Sequence, residues 1–342
     1  MHIIIDIRTD DRNQCALIRY AESWAHYWIQ THPKDTCSFL VLKGQVAPKK
    51  FPYIIGAKKP SLIQKARSFL QKYENTRCVS FSKFEPYYQR LQTISHIFNM
   101  GDCLYASKRK KEQYEQTLKK KISGSKSVIV PNFFTGNELT ELMPEAEDSL
   151  EIIPYFPVQY IPPETALFGR VNIKTPYFLY DGSYENENNI EALIRGFAAY
   201  VHTYHSDYYL VLHGYSSPQI RILSDVIQSS KIGHRIIVTG LLDIREQEAL
   251  YKNASGWIDV SHYITSDTKL ALALSHRIPL LLSDIKAFEY YTNAVKIHPN
   301  NLIRLPEYFI QLAGVPNPAS VPSFFSDITH TMKTYHTLLT KK

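Results

Sequence analysis

The sequence predicts an α/β protein of two domains, and three observations carry that reading. The chain has 342 residues, too many for one ordinary hydrophobic core and suited to two domains of about 150 to 170 residues. Its second half alternates short apolar runs with helix-period stretches, the pattern of a parallel sheet covered on both faces. Its 44% hydrophobic and 21% charged residues are those of an ordinary globular chain, which sets disordered and fibrous classes aside.

Residues 1–163 are read as the first domain. "HIIIDI" predicts a strand, "ALIRYAESWAHYWIQ" a long amphipathic helix and "CSFLVL" a second strand. Further on, "SVIVPNFFTGNEL" passes from strand to helix, and "EIIPYFPV" is a short strand ending at prolines. Between residues 156 and 176, Pro157, Pro162, Pro163 and Pro176 resist regular structure and suit an interdomain linker.

Residues 164–320 alternate more cleanly. "YFLYDG", "YYLVLHG", "RIIVTG", "GWIDVS" and "IPLLLSD" read as strands, separated by the helical runs "NNIEALIRGFAAYVHTY", "PQIRILSDVIQSS", "REQEALYKNA" and "DTKLALALS". The pattern predicts a Rossmann-like domain. Ligands of such sheets sit at the carboxyl ends of the strands, here the loops beginning at Gly182, Gly214, Gly240 and Ser261. Residues 321–342 end in a helix, "FFSDITHTMKTYHTLL".

The formal charge of +7 comes partly from Lys108-Arg109-Lys110-Lys111 and Lys119-Lys120-Lys121. A solvated helix face accounts best for them. Peripheral contact with an anionic membrane surface comes second and requires those lysines on one face. Nucleic acid is the weakest reading, because no aromatic residues interleave with the basic ones. Cys15, Cys37, Cys78 and Cys103 form no CxxC pair and no ligand spacing with His, so reduced structural thiols are expected and no metal. The start lacks a signal-peptide pattern and no run reaches the ~18 apolar residues of a membrane span. A cytoplasmic location is expected, with the inner membrane face as the site of any peripheral contact.

"YFLYDGSYENENNIEALIRGF", "VTGLLDIREQEALYKNASGWIDVS", the Ser261-to-Pro279 spacing and the closing helix resemble the GT-B glycosyltransferases of family four, the group-one type that transfers hexoses from nucleotide sugars. In the first half only "IIIDIRTD", Asp102 in "FNMGDCLYAS" and "SVIVPNFFTGNEL" resemble family landmarks. The resemblance implies two Rossmann-like domains facing a cleft, with the last helix crossing back to the first domain. It implies a nucleotide-sugar donor, a glycan, lipid or protein acceptor, retaining chemistry, and neither cofactor nor metal. The donor-side positions become Gly182, Ser183, Asn188, Gly240, Leu241, Asp267, Thr268 and Lys269. Asp6, Arg8, Arg19 and Asp102 lie on the acceptor side, with Asp10 beside them.

The functional positions are where the match fails. The family's two glutamates fall on Ile264 and Leu272, and an alkyl chain neither accepts hydrogen bonds from sugar hydroxyls nor stabilises an oxocarbenium charge. The Arg and Lys that hold the donor diphosphate fall on Glu187 and Asn188, which turns attraction into repulsion. No glycine lies in residues 15–20, where the first domain's phosphate turn aligns, and Gly101 replaces a histidine. Thr265-Ser266-Asp267 replaces the glycine-rich turn, with Asp267 suited to cap the following helix itself. Lys269, Arg245 and Arg277 could rebuild a phosphate clamp. A solvated lysine is the blander reading of the first. His213 reads as a structural strand-end residue, and surface pairing accounts for Asp6, Arg8, Asp10 and Arg19 as well as an acceptor role does. Three functions follow: a glycosyltransferase with a divergent donor site, a catalytically silent relative that pairs with an active homologue as a binding or scaffolding subunit, or a basic peripheral protein that docks on membrane phospholipid through the lysines of residues 108–121.

Overall fold

The computed structural model describes residues 1–9, 15–58, 75–88, 91–104, 107–182, 188–215, 217–263, 267–315 and 327–341. Two parallel sheets organise these residues, one in each of two units. The first unit joins residues 1–157 to 325–342, and the second spans 158–324.

The first unit's strands are β1 (His2–Asp6), β2 (Thr36–Leu42), β3 (Tyr53–Gly56), β4 (Thr76–Ser80), β5 (Gln92–His96), β6 (Ser127–Val130) and β7 (Leu150–Ile152), in the order β3-β2-β1-β4-β5-β6-β7. All adjacent pairs are parallel. The direction of winding reverses between β1 and β4, and such a switch leaves a crevice at the strands' carboxyl ends. Helices α1 (Cys15–Thr31), α2 (Lys108–Ser123) and α3 (Phe133–Leu142) connect the strands. On α1 the spacing of Ala21, Trp24, Ala25 and Trp28 makes one apolar stripe, all of it 0% exposed.

Sequence reading found β1, β2, β6 and β7 but not β3, β4 or β5. "TRCVS" and "QTISH" carry polar residues that break an apolar run. In the fold Thr93 and Ser95 are buried and bonded: Ser125 Oγ donates to Ser95 Oγ at 2.7 Å and Thr93 Oγ1 to Leu91 O at 3.2 Å.

The closing helix belongs to the first unit, as expected from the resemblance. In chain order it is α9 (Ile328–Thr340), following the second unit's α4 (Ile190–Tyr204), α5 (Ser217–Ser229), α6 (Ile244–Lys252), α7 (Asp267–Ser275) and α8 (Leu305–Ala313). Asp327 caps α9 by accepting from Thr329 N at 2.9 Å. Tyr335 packs edge-on against Trp24, centroids 5.4 Å apart, and its hydroxyl lies 2.5 Å from His96 Nε2. His96 Nδ1 faces Ser80 O at 3.2 Å. A carbonyl only accepts, so Nδ1 carries the proton and Tyr335 donates to Nε2. Burial holds His96 neutral, pushing it down to about 3 from 6.5.

The second unit's strands are β8 (Tyr177–Asp181), β9 (Tyr209–His213), β10 (Ile236–Gly240), β11 (Gly256–Asp259), β12 (Leu280–Ser283) and β13 (Val295–Ile297), in the order β10-β9-β8-β11-β12-β13. The five strands read from the sequence are here, joined by β13, whose three residues are too short to signal. All adjacent pairs are parallel, and the winding reverses between β8 and β11. The core gathers Phe178, Leu193, Phe197, Leu305 and Phe309. Gly196 lets α4 approach α8: a Cβ there would lie 2.6 Å from Leu305 Cβ.

Two outcomes follow. Gly196→Ala forces α4 and α8 apart and lowers stability by about 1 to 3 kcal/mol, read as a lower urea midpoint. His96 enters the fold neutral, so the unfolded chain binds the extra proton as pH falls below 6.5. Its contribution is therefore complete above that value and lost on acidification towards pH 3, by at most ~1.4 kcal/mol per pH unit. Urea midpoints of the wild type and His96→Asn between pH 7 and pH 5 measure it, the variant showing the shallower slope.

Candidate functional site

The carboxyl ends of β8, β9, β10 and β11 bring together polar side chains that an α/β sheet ordinarily leaves for a ligand. β8 ends on Asp181, whose side chain is 0% exposed. A carboxylate there needs partners, since unpaired burial is costly. Lys269, in the first turn of α7, places Nζ 3.0 Å from Asp181 Oδ1 and is itself 13% exposed. Tyr251 and Gln247 of α6 donate to Oδ2 at 2.7 and 3.3 Å. Burial alone would raise this carboxyl, but Lys269, then His213 and Tyr251, hold it below its ordinary value.

His213, at the end of β9, is also 0% exposed. Its Nδ1 lies 3.1 Å from Gly240 O and therefore carries the proton, while Nε2 stands 4.0 Å from Asp181 Oδ2 with no hydrogen-bond partner among the described residues. Burial lowers its pKa, and Asp181 only partly offsets that. Asp259, across the winding switch, accepts from Ser261 N at 3.0 Å and from Ser261 Oγ. Burial raises it, against these bonds. One acid is thus held ionised and its neighbour pushed towards the protonated form.

Gly182 and Gly240 have distinct reasons. A Cβ on Gly182 would lie 2.4 Å from the Tyr180 hydroxyl, and Gly240 adopts a φ of +69°. Asn188 is wholly buried, and Asn189 Nδ2 donates to Val260 O at 2.8 Å, tying the start of α4 to the end of β11. Thr268 is half-buried and Leu241 is 45% exposed. Leu272, where the resemblance calls for the second glutamate, is 0% exposed inside α7. Ile264, Thr265, Ser266, Ser183 and Glu187 lie outside the described residues, as does the side chain of Asp267. The described part of α7 starts at Asp267, and the residues that precede it lie outside the described residues. Arg245 bonds Pro162 O at 3.2 Å and pairs with Glu164 at 3.9 Å, and Arg277 is exposed.

The first unit closes its own crevice in the same way. Asp6 and Arg8 are each 0% exposed, which corrects their reading as surface charges. Arg8 Nε and Nη2 donate to Asp6 Oδ1 and Oδ2 at 2.9 and 2.8 Å, and the remaining three guanidinium protons reach Ala57 O and Glu85 O at 2.8 Å each and Lys58 O at 3.2 Å. Arg19 is 2% exposed, so it too is interior. The Asp102 side chain and Asp10 lie outside the described residues.

Lys121 corrects the single solvated face. It is 4% exposed and donates to Ser82 O and to His96 O, the latter at 2.7 Å. Burial lowers its pKa to about 7, against the pull of Asp6. Lys108, Arg109, Lys110, Lys119 and Lys120 are exposed, but at ~100° per residue they spread over about 200° of the helix. Lys108, Arg109, Lys119 and Lys120 fall within about 120° of that arc.

Asp181, Tyr251, Gln247 and Lys121 escaped sequence reading. An acid ending an apolar strand before glycine was a usable sign for Asp181. For Lys121 the sign was its place between Leu118 and Ile122 on the helix's buried side. The four cysteines are buried and free. Among the described residues no cluster fit to hold a metal ion occurs, and no helix is long and apolar enough to cross a membrane.

No protein-family model matches the sequence, and no curated protein matches it. Solved structures do match its fold. A glycosyltransferase from Rickettsia africae aligns at 14% identity and TM-score 0.63, over 99% of this chain and 96% of its own. WaaG, a glycosyltransferase of lipopolysaccharide biosynthesis, aligns at 11% and 0.69 over the whole of both chains. Anabaena HepE in complex with UDP-glucose aligns at 11% and 0.71, again over the whole of both. The chain has the GT-B fold of these glycosyltransferases.

Breaking the buried pair is costly. Asp181→Asn, which leaves Lys269 uncompensated, lowers stability by about 3 to 5 kcal/mol, measured by urea unfolding. Because the folded carboxyl titrates below its ordinary 3.8, the wild-type contribution is complete above that pH and is lost as pH falls through the lower folded value.

Proposed function

We propose that this protein is a member of the GT-B glycosyltransferase family that has given up hexosyl transfer and serves as a binding subunit beside an active homologue. One observation carries the reading: at the carboxyl edge of the second sheet, the cation of Lys269 is engaged by Asp181 and the expected acid position, Leu272, is sealed in the core. A nucleoside diphosphate needs cations or free amide donors. A leaving hexosyl group needs a carboxylate or carbonyl close to its developing charge.

A second reading is kept because Lys269 is partly exposed in the first turn of α7, where the helix dipole also favours an anion. HepE, of the same fold, is solved with UDP-glucose, and an analogous donor with a rebuilt clamp would make this chain a metal-independent retaining transferase acting on a glycan, lipid or protein.

Titration with UDP and UDP-glucose by calorimetry, together with an assay for UDP release in the presence of glycan acceptors, separates the two. The binding-subunit reading expects no release and at most weak donor binding. Steady UDP release that disappears in Lys269→Ala establishes the transferase instead.

A further inference from the structure

We propose that His213 is a proton-accepting partner held in reserve for Asp181: when a diphosphate group draws Lys269 away, His213 Nε2 takes a proton from solvent and pairs with the carboxylate. Anion binding at this edge is thereby coupled to the uptake of one proton. The inference rests on the engaged Lys269 that carries the reading above, and holds whether or not hexosyl transfer has been lost.

Asp181 has two basic neighbours. The Lys269 ammonium is 3.0 Å from Oδ1, and His213 Nε2 stands 4.0 Å from Oδ2. Lys269 is free to leave, since its side chain is 13% exposed and its bond to Asp181 O is 3.4 Å long. His213 is not. Its Nδ1–H is fixed by Gly240 O at 3.1 Å and Thr239 Oγ1 at 3.0 Å, and Thr239 itself donates to Gly240 O. Nε2 is therefore a buried lone pair with no hydrogen-bond partner among the described residues. Two acceptors face one another, an arrangement that a single added proton turns into an ion pair.

Charge compensation decides where that proton goes. An ionised carboxylate buried without a counter-charge is prohibitive, so the departure of Lys269 calls for a proton on Asp181 or beside it. Residues 183–187, 216, 264–266 and 316–324, which lie outside the described residues, contain no Lys, Arg or His. Tyr251 and Gln247 donate to Oδ2 at 2.7 and 3.3 Å and favour the ionised form of Asp181. Burial lowers the His213 pKa most, Asp181 raises it and Lys269 lowers it. Once the ammonium has left, one lowering cause is gone and the pull of Asp181 stays. Glu246 of α6 also raises His213, and is itself paired with Arg170. Asp259, the other acid on which Lys269 acts, accepts from Ser261 N and Oγ.

The test uses the whole protein with isotope in the histidine ring nitrogens, whose resonance reports whether Nε2 is protonated; His213→Gln assigns the signal. In the free protein at pH 7, Nε2 is expected to be bare. Saturating inorganic pyrophosphate is expected to protonate it, and Lys269→Met to do so with no anion present. Calorimetric affinity for pyrophosphate is taken as the ratio of wild type to Asp181→Asn, so that the anion's own proton exchange cancels. That ratio should rise by up to about tenfold per pH unit between pH 8 and pH 6. The same ratio measured with UDP separates a nucleotide's diphosphate, expected to bind tighter, from the free anion.

A ring that stays neutral in the pyrophosphate-saturated wild type overturns the proposal, as does one already charged in the free protein. So does a proton found by carboxyl-carbon resonances on Asp181 or Asp259, a flat affinity ratio, or no pyrophosphate binding by either protein at pH 6. If Lys269→Met does not fold, the wild-type titration decides alone. UDP release from UDP-glucose by the same preparation would remove the binding-subunit reading while the His213 signal still judged the proton coupling. A neutral ring without UDP release would remove the coupling alone.

Discussion

A carboxylate buried at the end of β8 constrains everything around it. Asp181 can stay ionised inside the fold only if the chain supplies a cation and hydrogen-bond donors of its own, because unpaired burial of a charge is prohibitive. Lys269 of α7 and Tyr251 and Gln247 of α6 supply them. Those two helices are thereby tied to one carboxyl group at the carboxyl edge of the sheet. At that edge Asp181, Lys269, Tyr251 and Gln247 are engaged with one another.

The first unit repeats the device with different residues. β1, like β8, stands beside the point where its sheet reverses winding, and it too ends on a buried aspartate. Asp6 is matched by Arg8 two residues later, and Lys121 reaches in from α2 to hold the carbonyls at the ends of β4 and β5. At both switch points a basic side chain of this protein meets a buried aspartate. Two internal ion pairs thus stand one at each sheet's winding switch.

The second sheet was legible because β8, β9, β11 and β12 are near-continuous apolar runs whose side chains are buried on both faces. The first was half legible. β4 and β5 spend their polar residues on buried hydrogen bonds, and β3 is short and bare, so neither alternation nor apolar length marked them. At the site, Gly182, Gly240, His213 and Lys269 were readable from their places at strand and helix ends. Which charges pair was not, since Asp181 and Lys269 are separated by 88 residues and meet only when the sheet is formed. Lys121 was hidden inside a run of lysines whose other members are solvated.

If Asp181 holds the cation of Lys269 away from phosphate, removing the carboxylate's charge should release it. The most direct measurement is calorimetric titration of UDP into wild-type protein and into Asp181→Asn, at a temperature where circular dichroism shows both folded. Tighter binding by the variant, by tenfold or more, is the predicted result. Equal or weaker binding would contradict the internal pair as a barrier to phosphate at this edge.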